Sequence, residues 1–254
     1  ILVSDAGVRG IIIINHAHNI KINTHIFPAT VWAESGALIS KVAHQAAIRG
    51  YSGLEWTASI PGTVGGAVYS NAGCFGHEIS SCLATAEILH RNKEKEKWTR
   101  EQFHFEYHTS ELKKKNKDSI ILTAILNIKT GDTEAIFSAM KKYKERRTKS
   151  QPPGASAGSI FRNPKDNKAG QLIEAAGLKG RRIGGAEISP MHANFIINKG
   201  KARAQDIWNL IDLIYHSVDS KFGIKLCPEI QLIGDWDNKV LSSFRKFQNV
   251  GGTQ

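Results

Sequence analysis

Cysteine is scarce in this 254-residue chain, which has only Cys74, Cys82 and Cys227. An odd count without C-x-x-C spacing indicates neither a disulfide framework nor a zinc site, so reduced thiols and no bound metal are expected. No apolar run approaches the ~18 to 20 residues that cross a bilayer, and no charged-then-apolar leader opens the chain. The expectation is a cytoplasmic protein with no membrane partner. No Gly-Lys-Ser/Thr completes a P-loop, no G-x-G-x-x-G order marks a dinucleotide turn, and no G-x-S-x-G elbow presents a nucleophile. What remains is a globular chain with 41% hydrophobic and 22% charged residues, able to bury real cores.

Charge is abundant and one-sided. The 34 Lys and Arg against 23 Asp and Glu give a formal +11, which implies anionic partners. Lys113 to Lys117 lack the interleaved aromatics of an RNA-binding sheet, so a solvated loop is expected there and nucleic acid is not the expected partner. The Lys141 to Lys149 stretch lies at a helix end, where cations suit the dipole.

Along the chain, Leu38, Ile39, Val42, Ala43, Ala46 and Ala47 recur at helical spacing over 36–49, preceded by Ser35 and closed by Gly50. Strands are expected at 83–90, at 97–98 beyond the polar turn Arg91-Asn92-Lys93-Glu94, and at 119–128. A helix over 133–147 stops at Gln151-Pro152-Pro153-Gly154, and a domain boundary is set near residue 150. Beyond it come a short helix at 169–176, strands at 184–189 and 194–198, a long helix at 204–222 ended by Gly223, and a strand at 224–233. The mixture indicates α+β architecture in both parts, with domains 1–150 and 151–236 and a flexible tail at 237–254. Ile1 to Asp5 read as a strand end and a turn without a methionine, so further sequence upstream is expected.

The richest stretch is Ser59-Ile-Pro-Gly-Thr-Val-Gly-Gly-Ala-Val-Tyr-Ser-Asn-Ala-Gly73. Gly62, Gly65, Gly66 and Gly73 let backbone approach a neighbour or take positive φ, which suits a wall for a phosphate or flat ring and suits tight packing equally. Ala157 to Pro164 place the Ser159 hydroxyl on a Gly-flanked loop, with Arg162 and Asn163 as nearby donors. Taken alone, Ser159 is a turn serine and Glu229 a strand carboxylate facing solvent.

Taken in order, Ser59 to Gly76, Ala157 to Gly180 with Gly184 to Gly200, and Pro228 to Gly234 resemble the UDP-N-acetylenolpyruvoylglucosamine reductase (MurB) family, over residues 1 to about 235. The modest length looks like the type II branch. The resemblance implies a PCMH-type FAD-binding region, with its first subdomain largely missing from this chain, followed by a smaller MurB C-terminal-type substrate domain. It also implies FAD as cofactor, NADPH as co-substrate and a UDP-sugar substrate, in the reaction of a UDP-N-acetylmuramate dehydrogenase serving peptidoglycan synthesis. Ile60, Pro61, Gly62, Thr63, Gly65 and Gly66 would line the flavin. Ser159 would donate a proton and Glu229 would assist, because hydride addition to an enol ether bearing a carboxylate builds enolate charge that needs a positioned donor.

Substrate-binding roles fall on Tyr107, Asn163, Arg147 and Lys149. His192-Ala193-Asn194-Phe195 fits the family pattern too and reads as scaffold for a strand. One departure stands out in Phe105-Glu106-Tyr107-His108-Thr109-Ser110, where the family usually has Tyr-Arg. Arginine stays charged and grips a carboxylate through two parallel bonds, whereas histidine, with a reference pKa of about 6.5, is charged only in part at neutral pH. His108 is therefore a catalytic candidate that weakens the reaction. The alternative expectation is a truncated or impaired relative that binds UDP-sugar without efficient reduction. A flavin oxidase on a related fold is a further alternative, though no motif demands its chemistry.

Overall fold

The computed structural model describes residues 1–25, 27–91, 94–115 and 118–249. It divides into two compact units, one spanning Ile13–Arg147 and the other combining Ile1–Ile12 with Thr148–Gln254.

The Ile13–Arg147 unit is built on a five-stranded antiparallel sheet in the order Ile20–Asn23, Thr30–Glu34, Ser119–Asn127, Leu83–His90, Lys95–Thr99. Its core joins the buried sides of these strands (Val31, Ala33, Ala86, Ile88, Ala124, Leu126) to helix α1, Ile39–Ile48, and helix α2, Val64–Ser70. The two-residue period of the strands and the i, i+3, i+4 period of α1 aim these apolar side chains at one shared interior. Helix α1 starts later than Ser35 suggests. Leu38 is its N-cap residue, and the Ser35 hydroxyl instead accepts from Asn15 Nδ2 at 2.8 Å.

The lysine run is not simply a solvated loop. Ser110 caps a short helix α3, Glu111–Lys114, whose Leu112 is buried, while Lys114 and Lys115 pair with Glu106 and Glu111. Asn116 and Lys117 lie outside the described residues, as do Asn92 and Lys93 of the expected polar turn. Helix α4 runs Thr133–Ser150, three residues beyond the expected stop.

In the second unit a four-stranded antiparallel sheet has the order Ser156–Ser159, Phe195–Asn198, Ala186–Ile188, Arg182–Ile183. The expected strand at 184–189 begins instead as a tight turn. Gly184 has φ +51, and a Cβ there would lie 2.3 Å from an oxygen of the Asp206 carboxylate. That carboxylate accepts from Gly185 N at 3.2 Å. Helix α5, Ala169–Ala175, and helix α6, Ala204–Phe222, pack in this core.

Three boundaries are corrected. Ile1–Ile12 belongs with the second unit, because Leu2–Val3 pairs in parallel with Leu232–Ile233 and the Asp5 carboxylate accepts from the backbone N–H groups of Ala204 and Gln205 at the start of α6. The expected strand at 224–233 is mostly irregular, with strand pairing outside the Phe161–Pro228 bridge confined to Leu232–Ile233. Residues expected as a flexible tail include helix α7, Asn238–Gln248, capped by Asp237 and burying Val240, Phe244 and Phe247. The Phe247 ring stacks on Tyr215 with centroids 3.7 Å apart. Burying such a ring is worth roughly 1.5–3 kcal/mol, enough to hold a short helix in place.

Candidate active site

In the first unit, Ile60 to Gly66 bridges the end of a 3-10 turn and the start of α2. Thr63 caps α2 by accepting from Gly66 N at 3.3 Å. The glycines have separate reasons to be there. Gly65 serves tight packing, since a Cβ there would sit 2.8 Å from Ser35 Cβ and 3.2 Å from the Ser35 carbonyl oxygen. Gly62 has φ +124 and is exposed, a Cβ there would have nothing within 4 Å, and the neighbouring Pro61 and Gly66 are also exposed. Ile60 and Thr63 are half-buried. At the head of the loop, Ser59 Oγ is buried without a hydrogen-bond partner among the described residues. An exposed glycine-rich rim beside an unsatisfied hydroxyl fits a flat, polar-edged cofactor.

The turn carrying Tyr107 and His108 is closed by paired backbone bonds between Glu106 and Thr109, at 3.2 and 3.1 Å. His108 has φ +52, and its ring stacks on Tyr107 with centroids 4.2 Å apart. Two contacts tie this turn to the C-terminal end of α2. Ser110 Oγ donates to the Tyr69 carbonyl at 2.6 Å, and Asn71 Nδ2 donates to the Glu106 carbonyl at 3.0 Å. Asn71 is fully buried in the left-handed region at φ 46; its Nδ2 also donates to Glu78 Oε2 and its Oδ1 accepts from Ser80 N, each at 3.0 Å. The loop and the Tyr107–His108 turn are thus two ends of one braced element. Sequence reading passed over Asn71, although an Asn directly after a helix is a signal for a left-handed cap.

Arg147 and Lys149 lie near the end of α4. Lys149 is exposed, whereas Arg147 is half-buried, and burial pushes its pKa down against the opposing influence of Cys74. Cys74 is itself pushed up by burial despite Arg147 and Arg146 nearby, so it stays a thiol rather than a nucleophilic thiolate. No disulfide and no cluster of metal-ligating groups occurs among the described residues.

The second unit brings Ser159 and Glu229 onto adjoining backbone segments. Ser159 ends its strand opposite Phe195, with Ile160 N donating to the Asn194 carbonyl at 2.9 Å. On the other side the chain pairs with residues 227–229. Phe161 forms an antiparallel bridge with Pro228, Glu229 N donates to the Ile160 carbonyl at 2.8 Å, and Arg162 N donates to the Cys227 carbonyl at 2.9 Å. Asn194 locks the arrangement by exchanging two side-chain bonds with the Phe161 backbone, at 3.0 and 2.8 Å. Ser159 and Glu229 are both half-buried. Asn163 is exposed, and its Oδ1 accepts from Ala169 N at 3.0 Å, bracing the start of α5.

Comparison with known proteins agrees with this two-part layout. A family model described as FAD binding domain matches residues 2–93, and one described as UDP-N-acetylenolpyruvoylglucosamine reductase, C-terminal domain, matches residues 149–233. The fold and these two matches define a flavoprotein oxidoreductase with an FAD-binding domain and a distinct C-terminal domain.

The UDP-N-acetylenolpyruvoylglucosamine reductase of Chloroflexus aurantiacus is 42% identical over 236 residues, covering 92% of this chain and 80% of that protein. Its counterpart in Caldicellulosiruptor bescii is 45% identical over 241 residues, covering 93% and 75%. The crystal structure of the Thermus caldophilus reductase (MurB) superposes with a TM-score of 0.71 at 36% identity, covering 80% of this chain and 72% of that one. The chain belongs to the UDP-N-acetylenolpyruvoylglucosamine reductase family.

Proposed function

We propose that the protein reduces UDP-N-acetylenolpyruvoylglucosamine to UDP-N-acetylmuramate with NADPH, in the cytoplasm, as a step of peptidoglycan precursor synthesis. The carrying observation is the pairing of the Ser159 and Glu229 segments within a domain that matches the family's C-terminal model. No described helix is long and apolar enough to cross a membrane.

FAD bound against Ile60, Pro61, Gly62, Thr63, Gly65 and Gly66 would relay hydride from NADPH to the third carbon of the enolpyruvyl ether. Ser159 Oγ donates a proton to the adjacent carbon, and Glu229 returns one, so that NADPH and one solvent proton become NADP⁺ and the lactyl ether. The backbone pairing through Ile160 holds the segments bearing this donor and its acid next to each other. Tyr107, Asn163, Arg147 and Lys149 contribute to holding the UDP-sugar.

The test follows NADPH oxidation with the enolpyruvyl sugar in the parent, Ser159→Ala and Glu229→Gln. Removing a positioned proton donor is expected to lower turnover by about 100-fold or more while bound flavin is still reduced by NADPH. Ser159→Ala turning over at the parent's rate refutes the assignment. A second reading, an impaired enzyme that binds the sugar and reduces it slowly, is favoured by His108, which lacks a permanent charge.

A further inference from the structure

We propose a second catalytic centre in the first unit, a relay of Ser119, His90 and Glu96 that hydrolyses small carboxylic esters through an acyl group carried on Ser119. It shares no residue with the reductase site and does not rest on that reading. His90 and Ser119 are paired across the Leu83–His90 and Ser119–Asn127 strands, with the imidazole Nδ1 2.6 Å from Ser119 Oγ. The other ring nitrogen, Nε2, lies 3.3 Å from Glu96 Oε2 on the neighbouring Lys95–Thr99 strand. Nucleophile, base and orienting carboxylate stand in series.

Each link fixes the next. An ionised carboxylate only accepts, and the same Glu96 oxygen takes the Trp98 indole N–H at 3.0 Å, so the imidazole proton sits on Nε2. Nδ1 then holds the lone pair and receives the Ser119 proton. The Trp98 ring flanks the imidazole, with centroids 5.5 Å apart. Solvent reaches the relay, since Ser119 is half-buried and the His90 and Glu96 side chains are 12% and 46% exposed.

An oxyanion donor follows from the register. Arg91 N donates to the Asp118 carbonyl at 2.8 Å, so that carbonyl points at the Leu83–His90 strand and the Ser119 N–H of the same trans peptide points away from it. On that side Thr30–Glu34 pairs only with 123–127 and stops short of Ser119. Ser119 Oγ attacks the ester carbonyl as its proton moves to Nδ1, and the alcohol leaves with that proton as its bond to the acyl carbon breaks. Water repeats the attack, releasing the acid and restoring the hydroxyl. The Ser119 N–H meets the negative charge that builds on the carbonyl oxygen.

The probes are p-nitrophenyl acetate, read by phenolate release, and diisopropyl fluorophosphate, read by mass spectrometry of the digested chain. The parent is expected to turn the ester over and to carry a diisopropylphosphoryl group on Ser119. Ser119→Ala is expected to lose that group and to slow ester turnover about 100-fold or more. Glu96→Gln still accepts from Trp98 but is no longer a carboxylate. It is expected to lower kcat for the ester about 10-fold with KM within about twofold, as loss of positioning does.

A folded parent that is not labelled on Ser119, or Ser119→Ala turning the ester over at the parent's rate, overturns the proposal. So does labelling of His90→Gln at the parent's rate, because the base is then idle. If His90→Gln does not fold, Glu96→Gln decides, and an unchanged kcat overturns the proposal.

Discussion

Replacing Asn71 by alanine isolates the brace between α2 and the Tyr107–His108 turn. The substitution removes donors to the Glu106 carbonyl and to Glu78 Oε2 and an acceptor for Ser80 N, each at 3.0 Å. The two neutral bonds contribute about 1 kcal/mol each and the one to a carboxylate somewhat more. Alanine also tolerates the left-handed region less well than asparagine, by roughly 1 kcal/mol. Water entering the vacated space recovers part of this sum, leaving an expected loss of about 3–5 kcal/mol.

Urea unfolding of the Ile13–Arg147 transition, with the slope unchanged, reads that loss as a lower midpoint. Asn71→Gly separates the terms, since glycine relieves the backbone strain and should be about 1 kcal/mol more stable than Asn71→Ala. A total loss below about 1 kcal/mol, or a glycine variant no better than alanine, refutes the reasoning.

Phe247→Ala, which removes a buried ring stacked on Tyr215 and Trp208, is expected to destabilise the second unit by about 3–4 kcal/mol, read by thermal or urea melting; an unchanged melt counts against α7 as a structural element. Burial pushes the His192 imidazole below its ordinary pKa, so the unfolded chain takes up that proton first as pH falls. Native stability from this group is therefore complete above about pH 7.5 and declines as pH drops through the reference value of about 6.5. Urea midpoints at about pH 7.5 and 5.5 should differ less in His192→Gln than in the parent, and equal differences would show that His192 does not couple. His108→Arg is expected to raise turnover several-fold in steady-state assays with the enolpyruvyl sugar, and an unchanged or lower rate argues against that position's role.

Elements whose apolar residues repeat over several turns could be read from the chain. Helix α6 follows from Ile207, Leu210, Ile211, Ile214 and Val218, and it ends at Gly223 with φ +66, where a glycine terminator was expected. Long-range contacts left no local trace, so Asp5 capping a helix that begins at Ala204 was invisible. Helix α7 was missed although Val240, Phe244 and Phe247 stand at helical spacing after Asp237, because the surrounding lysines, arginine and asparagines outweighed three apolar positions.

At the site, Ser159 and Glu229 came from resemblance, and their adjacency came from the fold. The glycine loop divided along physical lines, with Gly65 required by Ser35 and Gly62 left facing open space.

The pairing of Leu2–Val3 with Leu232–Ile233 makes one unit discontinuous, with Ile13–Arg147 inserted between its two pieces. On the ribosome the inserted unit has all its own strands before residue 148 is made, whereas the unit bearing Ser159 and Glu229 lacks the parallel pairing of Leu2–Val3 until Leu232 and Ile233 emerge. Contacts spanning 230 positions are among the slowest to form. Maturation therefore has a built-in order, the glycine-loop scaffold first and the unit carrying the Ser159 and Glu229 segments last. A chain stalled or clipped before residue 232 would carry the first without the second.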